Sequence, residues 1–431
     1  MERRSFLRQA GFSALAAAAG PGMERLNAAL PRPAGKRLNI LLILTDQHRY
    51  DGVGVNGNEK ISTPNLDRIA REGARFERAY VAQPVCSPNR AAIFTGLYPH
   101  SSGVWENNVP LPSTTPAISE LMKAAGYDCG YFGKWHLGRR DAFDAMPEYP
   151  KDGRGSGHYF GEGASRRYAV DVLTEDVLTF LRRERSGPFF ACVSYYPPHP
   201  PYSVPADYLE PYEGIEDERV RAYYAMVSKV DEKVGELLRA LDELEIRDQT
   251  LVIFTSEHGH YFQPRWNDHA KRLCYDTASR IPLLMRLPGR FSAGLQVEGL
   301  FSSVDLTPTI LGLIGYQGGR AQQGRDFSAH LLEGRTGGMR EHFFIENIPF
   351  PFEPRKGMER CVGSREWKLI LSTRRPPELV NYRTDPREGR NQWDDLRHSS
   401  LCHGLREGLR DWAEKTHDQL SLQLLDQTTG V

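Results

Sequence analysis

The sequence predicts an α/β protein, with a large, mainly parallel sheet sandwiched by helices and a smaller C-terminal antiparallel α+β subdomain. Three observations lead there. Strand and helix signals alternate from about Arg37 to about Ile314, the pattern of a parallel sheet covered by helices. Leu38 to Leu44 is a continuous apolar run, as expected of a strand buried on both faces. After the Gly-rich stretch from Gly315 to Gly338, the signals change to short strands separated by polar turns. The expected division places the larger domain at 36–335 and the subdomain at 340–431.

Each element has a local reason. Thr63-Pro64 opens a helix that runs to about Glu72, because proline at the first helical position forfeits only an N–H that would lack a partner anyway. Gly73 closes it. Ser87 and Pro88 read in the same way, as the N-cap and first residue of another helix. Ser119 to Ala125 is helical and stops at Gly126, and Tyr127 to Phe132 follows as a strand. Val172, Leu173, Val177 and Leu181 share one side of a helix spanning Tyr168 to about Arg183. Phe189 to Tyr195 and Leu251 to Thr255 are apolar strands, separated by a long helix from about Arg219 to Leu244. Ile281 to Arg286 is a short strand, and Pro308 opens a helix over Thr307 to Leu313. In the subdomain His342 to Ile345, Arg360 to Val362 and Trp367 to Ser372 are strands, and one helix from about Ser399 to Leu420 closes the chain.

Composition narrows the function. The 431 residues include 55 basic and 55 acidic ones, so the formal charge is +0. Any positively charged site is therefore local, and no surface for nucleic acid is expected. No run of about eighteen apolar residues follows the N-terminus, so no membrane span is expected either. Residues 1–30 read as a targeting segment, in which Arg3-Arg4 precede Phe6-Leu7 and an Ala-rich run from Ala10 to Gly20. That order resembles a twin-arginine export signal, which implies a twin-arginine translocase as partner and a periplasmic or secreted destination. The cysteines at 86, 129, 192, 274, 361 and 402 are too widely spaced for a disulfide framework, although one bridge after export stays open.

The chemistry-bearing residues fall where strands are expected to end. Asp46-Gln47 follows Leu44, and Gly133-Lys134-Trp135-His136-Leu137-Gly138 follows Phe132. Pro197-Pro198-His199 follows Ser194, and Glu257-His258-Gly259 follows Thr255. Ligands of open α/β sheets bind outside the carboxyl ends of parallel strands, so four segments deliver acids, amides, imidazoles and an ammonium to one crevice. Cys86, in Cys86-Ser87-Pro88-Asn89-Arg90, is placed at the positive end of a helix, which favours an anion and acidifies a thiol. Arg90, one turn on, shares its helical face and is expected to reach back to it.

The stretch from Cys86 through Pro88 and Arg90 to Thr95-Gly96 resembles the signature of type I sulfatases, in the alkaline-phosphatase-like superfamily, where this cysteine is oxidised to formylglycine. The likeness covers roughly residues 38 to 390 and includes Thr63 to Asp67, the Gly133 to Gly138 string, Pro198-His199, and Lys271 ahead of Ile281 to Leu284. It implies a sulfuric-ester hydrolase acting on a sulfated saccharide, matured by a formylglycine-forming enzyme and holding one divalent metal. By this likeness Asp46, Gln47, residue 86, Glu257 and His258 are the metal ligands, with Ca²⁺ favoured and Mg²⁺ or Mn²⁺ open. Many relatives carry Asp where this chain has Gln47 and Glu257. The hydrated aldehyde at 86 would attack sulfur and form a covalent sulfate hemiester. Arg90, Lys134 and Lys271 would surround the sulfate oxygens. His199 or Lys271 would protonate the leaving alcohol, and His136 would take the proton whose loss expels sulfate. Asn107 is the substrate-binding candidate, and His260, Trp266, His269, Arg272, Arg360 and the loop 350–356 are further ones. Two alternatives stay open: a formylglycine-dependent phosphonate or phosphate ester hydrolase, and a non-catalytic protein that binds sulfated ligands. Lys134, His136, His199 and Lys271 speak against the second, since a binder needs no acid and base. A two-zinc alkaline phosphatase is disfavoured for want of a second set of His and Asp ligands.

Overall fold

Apolar runs become strands here because alternate side chains enter two different layers. The computed structural model describes residues 37–138, 143–144, 158–160, 166–262, 271–316, 322–348 and 357–428. The expected targeting segment, Trp266, His269 and the loop 350–356 lie outside them. In chain order the strands are Asn39–Thr45 (β1), Ala74–Tyr80 (β2), Asp128–Gly133 (β3), the short pair Tyr159–Phe160 (β4) and Arg167–Tyr168 (β5), and Phe189–Ser194 (β6). Thr250–Ser256 (β7), Arg280–Ile281 (β8), Leu283–Arg286 (β9) and Leu295–Ser302 (β10) follow. Ile40, Leu42 and Leu44 of β1 enter one apolar layer with Phe190, Cys192, Leu251 and Ile253. Leu41 and Ile43 enter the other with Ala191, Val193, Val252 and Phe254. Helices Cys86–Thr95, Ile118–Ala124 and Leu306–Leu313 cover the first layer. Helices Pro64–Arg71, Ala169–Leu181 and Glu218–Glu243 cover the second.

The large sheet has eight strands in the order β10-β2-β9-β7-β1-β6-β3, with β8 beside β2. β1 is parallel to β6 and β7, β6 to β3, and β2 to β10, while β9 runs antiparallel between β2 and β7. The strands β1, β2, β3, β6, β7 and β10 therefore end at one edge, as the polar residues after them require. Phe343–Asn347 (β11), Glu359–Gly363 (β12), Trp367–Ser372 (β13) and Glu378–Asn381 (β14) form a second, antiparallel sheet in that order. One of its faces packs on helices Ser399–Thr416 and Gln419–Gln427 through Leu369, Leu371, Leu405, Leu409 and Leu424. The other face meets Tyr80, Leu273, Cys274 and Tyr275 through Phe343, Ile345, Cys361 and Ile370. No helix among the described residues is long and apolar enough to cross a membrane.

Local expectations change in four places. β2, the two-residue β4 and β5, β10 and β14 are absent from the sequence reading; Arg75, Glu77 and Arg78 interrupt the apolar pattern of β2, and β10 pairs only with it. The helix expected to open at Ser87-Pro88 begins at Cys86, with Val85 extended in the N-cap position. Pro88 is then its third residue, still within the first turn, whose N–H groups lack carbonyl partners. The helix around Pro308 likewise begins at Leu306, after a 3-10 turn over Ser303–Asp305. The single terminal helix breaks at His417, whose φ of 62° is left-handed, and a second helix starts at Gln419.

Candidate active site

β1 delivers Asp46 to the carboxyl edge with its side chain wholly buried. A buried carboxylate needs partners, and Lys134 Nζ, from the turn after β3, lies 2.5 Å away. Asp46 Oδ1 is 3.5 Å from His258 Nε2 and 3.7 Å from Cys86 Sγ. Burial and the Cys86 thiol push the Asp46 carboxyl up, but Lys134, His199 and His258 outweigh them and hold it below its ordinary range. Cys86 is 1% exposed and starts the helix that follows β2. Lys271 Nζ donates to its sulfur at 3.1 Å, and His258 Nε2 is 3.3 Å from it. Burial alone would raise this thiol, yet Lys134, Lys271, His258 and a hydrogen bond from His136 bring it well below its ordinary value.

The remaining turns complete the ring. His136, in left-handed backbone with φ 58°, pairs its Nε2 with Asn108 Oδ1 at 3.1 Å. His199 Nδ1 donates to the Pro200 carbonyl at 2.5 Å, and burial lowers its imidazole to about 4, so it is neutral near pH 7. Asn107 Oδ1 accepts from the Ser87 N–H at 3.0 Å, in the first turn of the Cys86 helix.

Among the described residues one group of metal-ligating side chains stands together: Asp46, Cys86 and His258, with ligand atoms within 4.8 Å of one another. The Gly259 carbonyl accepts from His258 Nδ1 at 2.7 Å, so in the neutral ring Nε2 bears the lone pair. That lone pair faces a carboxylate oxygen and a sulfur. Three electron-rich atoms around one point fit a divalent cation. Gln47 stands next to Asp46, but its Oε1 accepts from His260 Nδ1 at 2.6 Å, and His260 Nε2 accepts from the Tyr202 hydroxyl at 2.6 Å.

Arg90 does not reach back to Cys86. Its guanidinium is wholly buried and bonds Glu257, the Lys134 carbonyl, Tyr131 Oη at 2.7 Å and Ser194 Oγ at 2.6 Å. Helical spacing placed it on the expected face, and a buried carboxylate is the stronger partner for a guanidinium than a thiol is. Glu257 accordingly lies against Arg90 and, at 3.5 Å, Lys134, and burial pushes its carboxyl up. Arg360 is buried against Asp418 at 2.5 Å, and Arg272 pairs with Glu106. Two residues near the site were missed. Tyr196, half-buried, stands with its ring 4.5 Å from that of His199 and 5.5 Å from Lys134 Nζ. Its place two residues past β6 was the available signal. Glu106 gave none, since its partner is 166 residues away in the chain.

Residues 38–316 match the Sulfatase family, and residues 263–415 match the family described as N-sulphoglucosamine sulphohydrolase, C-terminal. The chain belongs to the type I sulfatases of the alkaline-phosphatase-like superfamily, which are sulfuric ester hydrolases. It is similar to an ulvan-active sulfatase of Formosa agariphila, 30% identical over 398 residues that cover 82% of this chain and 76% of the relative. An N-acetylglucosamine-6-O-sulfatase of Bacteroides thetaiotaomicron is 25% identical, covering 83% of this chain and 82% of the relative. A solved structure in complex with its substrate D-glucosamine-2-N,6-O-disulfate has a TM-score of 0.77 at 22% identity, covering 89% of this chain and 99% of that one. The fold is also that of a phosphonate monoester hydrolase of Agrobacterium radiobacter, with a TM-score of 0.76 at 24% identity over 88% of this chain and 96% of that one.

Proposed function

We propose that this protein removes sulfate from a sulfated carbohydrate, with formylglycine made from Cys86 as the nucleophile. The observation that carries the reading is the buried Asp46–Cys86–His258 group with the ammonium groups of Lys134 and Lys271 beside it. The saccharide sulfatases among its relatives support the substrate class. The Arg3-Arg4 pair and the apolar run after it support export by a twin-arginine translocase to the periplasm or beyond.

A sulfate entering this crevice meets Lys134 and Lys271, two preorganised positive charges at a site from which water is largely excluded. Residue 86, oxidised and hydrated, carries two hydroxyls. One attacks sulfur, and loss of the proton on the other, taken by His136, expels sulfate and restores the aldehyde. Asp46, residue 86 and His258 would hold a divalent ion, with Gln47 and Glu257 as further candidates, and when bound it supplies the charge that acidifies the attacking hydroxyl. Ca²⁺ is the favoured ion, because most of these donors are oxygens. Lys271 or His199 protonates the leaving alcohol. His199, resting neutral at about 4, takes that role only once the charge of a bound sulfate raises it. Arg90 acts from beneath, fixing Glu257 and the Lys134 carbonyl.

Peptide mass spectrometry across Cys86, on protein made together with a maturation enzyme, tests the nucleophile, and formylglycine is expected there. A panel of sulfated mono- and oligosaccharides run beside aryl phosphate and phosphonate monoesters tests the substrate class. Fully active protein with an untouched thiol, full activity after exhaustive chelation, or phosphonate turnover larger by orders of magnitude would overturn the reading.

A further inference from the structure

We propose that Glu106 and Arg272 form a positioning pair that sets Asn107 and Lys271 around residue 86, a role that rests on the sulfatase reading for what those two residues do. Each member is the immediate chain neighbour of a site residue. Arg272 grips Glu106 through a two-pronged fork, Nη1 to Oε2 at 2.8 Å and Nη2 to Oε1 at 2.7 Å. Both side chains are buried within the fold. Glu106 Oε1 also accepts the backbone N–H of Asn107 at 2.6 Å, and Asn107 in turn holds the N–H of Ser87, next to Cys86. From the other side, Lys271 Nζ reaches Cys86 Sγ at 3.1 Å.

The backbone of Arg272 is forced into place. Its φ is 75°, a left-handed value that residues other than glycine keep only where their surroundings impose it. Two contacts impose it: the Arg272 N–H donates to the Pro84 carbonyl at 3.2 Å, and its carbonyl accepts from Asn347 Nδ2 at 2.6 Å. Asn347 ends β11 and also donates to Glu359 Oε2 of β12 at 3.2 Å, so the C-terminal sheet holds the residue beside Lys271. Apolar residues can often match a buried ion pair in stability. They cannot supply a single acceptor tied both to the N–H of residue 107 and to a guanidinium at 272.

The test places Glu106→Gln, Arg272→Lys and Arg272→Ala in the converted enzyme, alone and combined with Lys271→Ala. Steady-state kinetics on an aryl sulfate, the thermal midpoint, and the rate of Lys271 acetylation read by mass spectrometry are compared. Arg272→Ala is expected to lower kcat about tenfold or more, as a small misplacement of a reacting group does. Arg272→Lys, which keeps charge but not the fork, is expected to recover only part of that loss. Glu106→Gln is expected to raise KM as well, through Asn107. With Lys271 already removed, Arg272→Ala is expected to cost less than about twofold in kcat, because the two act as a unit. In Arg272→Ala, Lys271 is expected to acetylate several times faster than in the wild type. Equal losses of kcat with and without Lys271, or wild-type kcat and acetylation in all three single variants, would overturn the pair. If the wild type cleaves no sulfate ester, the sulfatase reading falls, and the acetylation rates decide the pair by themselves: a faster rate upholds it and an unchanged rate rejects it.

Discussion

The chain segment from Lys271 to Asp276 touches two buried clusters of charge that are put together differently. At the edge of the large sheet, like charges crowd. Asp46 and Glu257 both lean on Lys134, while Lys271 points at the same sulfur that faces Asp46 and His258. Against the C-terminal sheet, Lys368 is more deeply buried than Lys134, is held by Glu388 at 2.8 Å and by Asp276, and lies over the rings of Tyr80 and Tyr382. Arg360 nearby is bonded to Asp418 at 2.5 Å and 3.1 Å. The second cluster is satisfied by the protein alone. Both clusters set two carboxylates on one lysine, and the first differs in bringing a second ammonium, Lys271, together with His258 and Asp46 around the sulfur of Cys86. Neither burial of charge nor crowding of carboxylates therefore marks a site by itself; convergence of an ammonium, an imidazole and a carboxylate on one sulfur is what sets this group apart.

Substitutions can break this contrast, beginning where the effect is largest. Cys86→Ser is expected to abolish multiple turnover, because an ester formed on serine has no second hydroxyl whose deprotonation expels sulfate; steady-state product beyond one equivalent per enzyme would contradict that. Lys134→Ala and His199→Ala are each expected to lower turnover by about 10² or more, the scale of losing an electrostatic or acid–base group, and unchanged kinetics would remove that residue from its role. Lys368→Met strips the common partner from Asp276 and Glu388. It is expected to cost about 3–5 kcal/mol in denaturant melts, yet leave kcat per folded molecule within about twofold. A large fall in kcat with stability intact would erase the distinction between the clusters.

The smallest effect concerns pH. Burial alone would raise the Asp418 carboxyl, but Arg360 overrides it and holds the group at about 2, against an ordinary 3.8. A carboxylate depressed by folding stabilises the protein above its unfolded value and loses that contribution as the pH falls through the folded one. Wild type is therefore expected to lose about 2 kcal/mol more than Asp418→Asn between pH 5 and pH 2, measured by urea melts at each pH. Parallel losses in the two proteins would show that this pair does not govern the acid limb.

Much of the fold was legible because it is written in local pattern. The apolar runs that became β1, β6 and β7 need no knowledge of their neighbours, and the long helix at Glu218–Glu243 lies within a residue of its expected limits. β2 and β10 escaped because Arg75, Glu77 and Arg78 break up the apolar run of the first, while the second carries Gln296, Glu298 and Gly299 and pairs only with the first. The positions of Asp46, Lys134, His199 and His258 followed from one rule about strand ends. The aim of Arg90 did not, because helical spacing fixes the face of a side chain and not which of several buried partners it meets. The link between Glu106 and Arg272 left no trace in local sequence at all, since it exists only once the Lys271 segment lies across the loop that bears Asn107.

Cys86 ends up with 1% of its surface exposed, walled in by Asp46, His258 and Lys271. On the proposed reading an oxidising enzyme must reach this thiol, and the finished fold leaves almost none of its surface open to contact. Oxidation of residue 86, as proposed, would then have to precede closure of the chain, and the yield of converted protein would be decided by a race between two rates. Where folding wins, the proposed nucleophile would stay a thiol in an otherwise well-formed molecule.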